Sequence, residues 1–255
     1  MMATAVSDGG DAARQRAAQR GLTRLLARDM RRLRRIIIPS RLQATVPDWI
    51  EAVRELVGQY GQASQSLAAD YYEAQRVAAR VTGRFTVPLL DPPPDEQVDA
   101  SLRWATKDLW PREPEQATEA QREPLETRLE QAEKKAEAVA QKLVVDQGRG
   151  AVREAVRRDP QATAWARAAA LGACAFCKLL ATRGAVYKQD TADFRSHDGC
   201  HCGVVPVFKG QRFELSDHAR EWERLYREYA APHSGDQLRR FRQALAEHGH
   251  LPAAS

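Results

Sequence analysis

Between Ala12 and Ile38 the apolar residues Leu22, Leu25, Leu26, Leu33, Ile36 and Ile37 recur at three- and four-residue steps, with arginines on the other faces. That period predicts a basic amphipathic helix. Residues 1 to 11, small and polar with Gly9-Gly10, predict a frayed start ahead of it. Pro47-Asp48 opens a second periodic segment, in which Trp49, Val53, Leu56, Tyr60, Leu67, Tyr71 and Ala78 trace one stripe of a long helix. Asp91-Pro92-Pro93-Pro94 cannot continue a helix and reads as a linker. A further helix carries Leu102, Trp104 and Leu109 and is ended by Pro111 and Pro114. From 124 to 147 the positions Leu125, Leu129, Ala132, Ala136, Val139 and Leu143 form a short heptad seam. An antiparallel helix pair within the chain is favoured for this seam over an intermolecular coiled coil. Gly148 and Gly150 are expected to break the pattern before residues 151–158 resume it.

Composition agrees with a mainly α fold. Of 255 residues 43% are apolar, enough for a sizeable core, while only 7% are aromatic and 29% are charged. Four segments are expected: a basic N-terminal arm (1–40), a helical domain (41–160) with its Pro-rich linker near 91–94, a Cys/His metal module (161–210) and a helical C-terminal appendage (211–255). The appendage is marked by Trp222, Leu225, Tyr226, Leu238 and Phe241. The longest apolar candidate for a membrane span, Ile36-Ile37-Ile38, stops at Pro39, far short of the roughly 18 residues a span needs. Asp8 and Asp11 before an arginine-rich stretch do not resemble a secretory signal. A soluble protein made in the cytoplasm is therefore expected, with no membrane partner and no small-molecule substrate. The net charge of +5 is unevenly placed: residues 11–35 hold nine arginines against Asp11 and Asp29. Arg24, Arg28, Arg31, Arg32, Arg34 and Arg35 are candidates for contact with phosphates of double-stranded DNA, or else simply a solvated helix face.

All four cysteines lie in one window, as Cys174-Ala-Phe-Cys177 and Cys200-His201-Cys202, with His197 three residues before Cys200. In a reducing compartment such clustering favours a metal over disulfides, and sulfur-rich closed sites suit structural zinc. The C-x-x-C knuckle brings two sulfurs to one ion. His197, Cys200 and Cys202 then compete for the two remaining tetrahedral places, and the spacing leaves open which is spare. In an extended segment His201 points away from Cys200 and Cys202, so it is not taken as a ligand. Arg183 to Tyr187 and Gly203 to Phe208 read as a turn and two extended pieces, giving a small helix-and-hairpin module stabilised by its metal.

The ordered string Trp165-Ala-Arg167, Cys174-Ala-Phe-Cys177, Gly184-Ala-Val-Tyr187, Phe194-Arg-Ser-His197, Cys200-His-Cys202 and Pro206-Val-Phe208 resembles the minor capsid, or head morphogenesis, proteins of tailed bacteriophages related to the F protein of phage Mu, in their actinobacterial form. The resemblance covers most of residues 15–210. It implies a metal role for Cys174, Cys177, His197, Cys200 and Cys202. It also implies a virion protein that associates with the portal inside the capsid, present in the host cytoplasm during assembly, with the arginine arm facing packaged DNA or an acidic portal surface. Related proteins are sometimes described as capsid maturation proteases. Ser196, His197 and Asp198 are consecutive and cannot by themselves supply triad geometry, and neither G-x-S-x-G nor H-E-x-x-H occurs, so no catalytic residue is assigned. A DNA-binding zinc regulator is a third reading, disfavoured because Gly184 and Val186-Tyr187 stand where a recognition helix would be needed.

Overall fold

The computed structural model describes residues 4–7, 9–110, 114–187, 194, 196–197 and 199–251. Asp8, Pro111 and Asp198, each used in the sequence reading, lie outside them. The chain is mainly helical: α1 (Gly10–Leu33), α2 (Leu42–Ala78), α3 (Asp95–Ala105), α4 (Glu119–Arg122), α5 (Leu125–Arg158), α6 (Ala175–Ala181), α7 (Asp217–Tyr229) and α8 (Gln237–Glu247). Among the described residues four short strands, β1 (Thr4–Val6), β2 (Ala162–Ala168), β3 (Gly203–Phe208) and β4 (Arg212–Glu214), form two two-stranded sheets.

Helices α1, α2, α3 and α5 make a bundle. α1 runs antiparallel to α2, tied by Gln19 Nε2 to Ser64 O at 3.1 Å, Tyr60 OH to Asp29 at 2.6 Å and Gln75 to Asp11 at 3.1 Å. Its buried face is Ala12, Arg16, Gln19, Thr23, Leu26, Ala27 and Met30, whereas Leu25 is exposed. The stripe is thus more polar than hydrophobicity alone suggests, because Gln19 and Thr23 find partners on α2 and in their own turn.

Three expectations need correction here. α2 begins at Leu42, upstream of Pro47, since a proline in the second turn removes a single ladder bond while Val46, Trp49 and Ile50 bury against Leu26 and Met30. α5 passes unbroken through Gly148 and Gly150. The residues at 4–6 are a strand rather than a frayed start: they pair in parallel with β4, and Ser7 accepts from Ser216 N at 2.8 Å.

The heptad seam is intramolecular, with Leu129, Ala132, Ala136, Val139 and Leu143 buried against α1, α2 and α3. Its main partner, α2, is parallel to it: Gln147 lies beside Val57 and Gln65, and Asp159 beside Tyr72 and Arg76. The antiparallel neighbour is α1, through Arg31–Glu137 at 3.7 Å and the Arg34–Glu133 pair.

Two hydrophobic cores follow. One fills the far half of the bundle around Leu26, Trp49, Leu102, Leu129 and Leu143. The other joins the ends of α2 and α5 to the sheet β2–β3, to α6 and to α7 and α8, through Tyr72, Val156, Trp165, Phe208, Trp222 and Phe241. β3 pairs antiparallel with β2, not with residues 186–187; Tyr187 makes a single bridge to Trp165. Alanine-rich β2 carries little strand propensity of its own and is held by burial between α5 and β3. No helix of the described residues is long and apolar enough to cross a membrane.

Candidate metal centre

Cys174 caps α6: its sulfur accepts from the Cys177 amide at 3.5 Å, which places both knuckle sulfurs on one side of the helix start. Cys202 leads directly into β3, so the second pair is fixed by the sheet. The two halves meet. Cys177 Sγ lies 3.6 Å from Cys200 Sγ, and His197 Nε2 lies 2.9 Å from Cys174 Sγ and 3.7 Å from Cys177 Sγ. The donor atoms fall into two groups, Cys174/Cys177/His197 and Cys177/Cys200/Cys202, within each of which all atoms lie within 4.8 Å of one another. His201 belongs to neither. Cys177, Cys200 and Cys202 are buried, Cys174 is half-buried and His197 is exposed.

These residues fit a divalent metal. Sulfurs bound at about 2.3 Å to a tetrahedral ion stand about 3.8 Å apart, close to the Cys177–Cys200 separation. Without a cation the thiols disturb one another. The hydrogen bond from Cys177 pulls Cys174 down to about 5, and hydrogen bonds from Cys177 and Cys202 pull Cys200 down. Cys177 is pushed up by hydrogen bonds to Cys174, Cys200 and Cys202. For Cys202 the Cys177 hydrogen bond pulls down, but that of Cys200, together with burial, prevails and pushes it up to about 12. A bound cation relieves this competition by letting all the sulfurs ionise together.

The surrounding cations suit a thiolate cluster. Buried Arg149, on α5, donates through Nε to Cys202 O at 2.8 Å and through Nη2 to Cys200 O, while Nη1 reaches Asp146 at 2.6 Å. Asp146 also accepts from Ser196 Oγ at 2.8 Å. Buried Arg167, on β2, points Nη1 at Cys177 Sγ, 3.7 Å away, and stacks on Phe194, whose ring also lies 4.8 Å from the Arg149 guanidinium. Buried Lys178 donates to His250 O and lies over Trp222. Arg149, Asp146 and Lys178 were not singled out from the sequence. For Lys178 the available signal was a basic residue within an apolar run, as at Arg167 among the alanines of β2.

The arginines of α1 and the turn after it lie along the bundle. Arg28 and Arg32 pair with Asp29, Arg31 with Glu137, and Arg34 with Glu133 and Glu126. Arg24 and Arg35 are exposed. Ser196 and His197 serve different partners, Asp146 and Cys174.

A family model described as VG15 protein matches residues 7–229, from just after the first strand to the end of α7, with the whole metal centre inside. The chain belongs to the VG15 protein family. VG15 is a family of phage proteins. No curated protein and no solved structure matches the chain. Within the VG15 match lie the bundle core, most of the second core and all five candidate ligands, while Phe241 and Leu245 of the second core fall beyond it.

Proposed function

We propose that this VG15 protein is a minor head protein of the phage virion, bound to the portal inside the capsid, and that its cysteine cluster holds a structural zinc ion. The observation that carries the zinc reading is the meeting of two distant thiol pairs at 3.6 Å, clamped to the bundle by Arg149. Four thiolates, Cys174, Cys177, Cys200 and Cys202, close the tetrahedron, and His197 acts as the exposed partner of Cys174. A closed sulfur site has no open position for substrate or water, so its contribution is folding energy.

Family membership supports the phage origin, and the resemblance to Mu F-like head proteins supports the place at the portal. The exposed edge of α1 and the turn after it, with Arg24 and Arg35, suits packaged DNA or an acidic portal surface. The capsid maturation protease reading gains nothing from the site, because Ser196 is engaged by Asp146 and His197 by Cys174. Co-sedimentation with purified portal, alongside elemental analysis, tests both halves of the proposal. About one zinc per chain and saturable portal binding are expected. A metal-free protein that keeps its fold in chelator refutes the zinc reading, and absence from portal pellets and from purified virions refutes the head role.

A further inference from the structure

All five candidate ligands line the cavity of ≈ 520 Å³ at the metal centre, but they keep very different shares of surface. Cys177, Cys200 and Cys202 are 1%, 5% and 3% exposed. Cys174 is half-buried, and the His197 imidazole that meets its sulfur at 2.9 Å is exposed. Arg20 and Arg242 line the same cavity, and no acidic side chain is among its described lining residues. A sulfur with open surface in a positively charged setting is the one an oxidant reaches first.

Placement also selects the partner of that sulfur. Cys177 Sγ lies within 4.8 Å of Cys174 Sγ, whereas Cys200 and Cys202 belong to the other group of donor atoms. The pair stands at the start of α6, where the Cys177 amide already donates to Cys174 Sγ at 3.5 Å. C-x-x-C at a helix start is a spacing at which a disulfide closes locally. Cys200 and Cys202 are set back from it, because Arg149 holds both of their carbonyls against α5. We propose that Cys174 is a modification site for peroxide, and that its conversion to a disulfide with Cys177 opens the metal centre. The proposal rests on the zinc reading for what is released. In the first step the O–O bond breaks as the Cys174 thiolate takes one oxygen, giving a sulfenic acid and a hydroxide that picks up a solvent proton. The Cys177 thiolate then attacks the Cys174 sulfur: the S–S bond forms, the S–O bond breaks, and the second hydroxide is protonated. Two thiolates are thus oxidised to a disulfide while one peroxide is reduced to two waters. Two of the four sulfurs are then lost to the zinc, and its release follows.

Titration of the zinc-assayed full chain with hydrogen peroxide tests this, read by a chromophoric chelator for released zinc and by peptide mapping for the disulfide. Zinc loss in step with peroxide consumed is expected, with a Cys174–Cys177 disulfide and with sulfenic acid trapped first at Cys174. Dithiothreitol with added zinc should restore the metal content. Cys174→His leaves three cysteines and a histidine, a donor set zinc accepts, and is expected to lose its zinc at least about tenfold more slowly. Should that variant take up no zinc, the mapping in the unaltered protein decides alone. Zinc retained through excess peroxide, a disulfide joining any other pair, or equally fast release from Cys174→His overturns the proposal. Zinc absent before any peroxide is added refutes the metal reading instead, and the mapped disulfide then still decides whether Cys174 and Cys177 are the reactive pair.

Discussion

Cys177 belongs to both groups of donor atoms, and its sulfur is in contact with the Arg167 guanidinium, the Cys200 thiol and the His197 imidazole. Its replacement therefore affects every possible arrangement of ligands, whereas replacement of exposed His197 removes a ligand only if the imidazole coordinates and otherwise removes an outer partner of Cys174. Cys177→Ser is expected to weaken zinc binding by well over about 100-fold, and His197→Ala by about 10–100-fold, the usual scale for an outer partner of a metal ligand. Competition with a chromophoric chelator measures both, and equal losses would make His197 a ligand in place of one cysteine. The convergence of the cysteines and His197 was legible in the sequence because a metal site imposes short local spacings, C-x-x-C and H-x-x-C-x-C, that survive without knowledge of the fold. Arg149 was not legible. Its partners, Cys200 O and Cys202 O, are backbone atoms about fifty positions away, and nothing in the helical period of α5 marks a residue for such a contact.

Among the elements, α5 separates what periodicity reveals from what it hides. The heptad positions disclosed a buried seam but not the direction of its partner, since parallel and antiparallel neighbours bury the same stripe. The two glycines read as breakers for a similar reason: a helical period gives no sign that a glycine is there to let another helix approach. A methyl group at Gly148 would stand 2.6 Å from Ser64 Oγ and 2.9 Å from Ser64 O on α2, while one at Gly58, also inside α2, would meet nothing within 4 Å. Gly148→Ala must push two backbones apart and is expected to destabilise the protein by about 1–3 kcal/mol. Gly58→Ala gains helix propensity and is expected to stabilise it by up to about 1 kcal/mol. Urea denaturation midpoints decide this, and a shift of the same sign in both variants would show that the α2–α5 crossing does not depend on the missing side chain.

Across the whole molecule the two cores differ in what sustains them. The bundle core around Leu26, Trp49, Leu102 and Leu129 takes nothing from the metal module. The second core contains Cys177, Cys200 and Cys202 themselves, with Trp165 on β2, Trp222 on α7 and Phe241 on α8. Strands β2 and β3 are tied to the thiol loop by Arg167 and Cys202, and α6 packs on both α7 and α8. On the zinc reading proposed above, metal binding of about 10–16 kcal/mol is comparable with the entire stability of a typical domain, and removal of the ion is then expected to disturb the second core. Chelation is expected to remove hydrogen-exchange protection from residues 162–181, 203–208 and the α7–α8 pair. Protection within 46–57 and 129–144 should remain, because those helices bury their own stripes against one another. Uniform loss would mean that the bundle cannot stand without the module, and protection unchanged throughout would mean that the cysteines pack as ordinary buried thiols. The intermediate outcome has a physical signature of its own: α5 spans both cores, so exchange should rise along its last turns, from Val152 onward, while its seam stays protected.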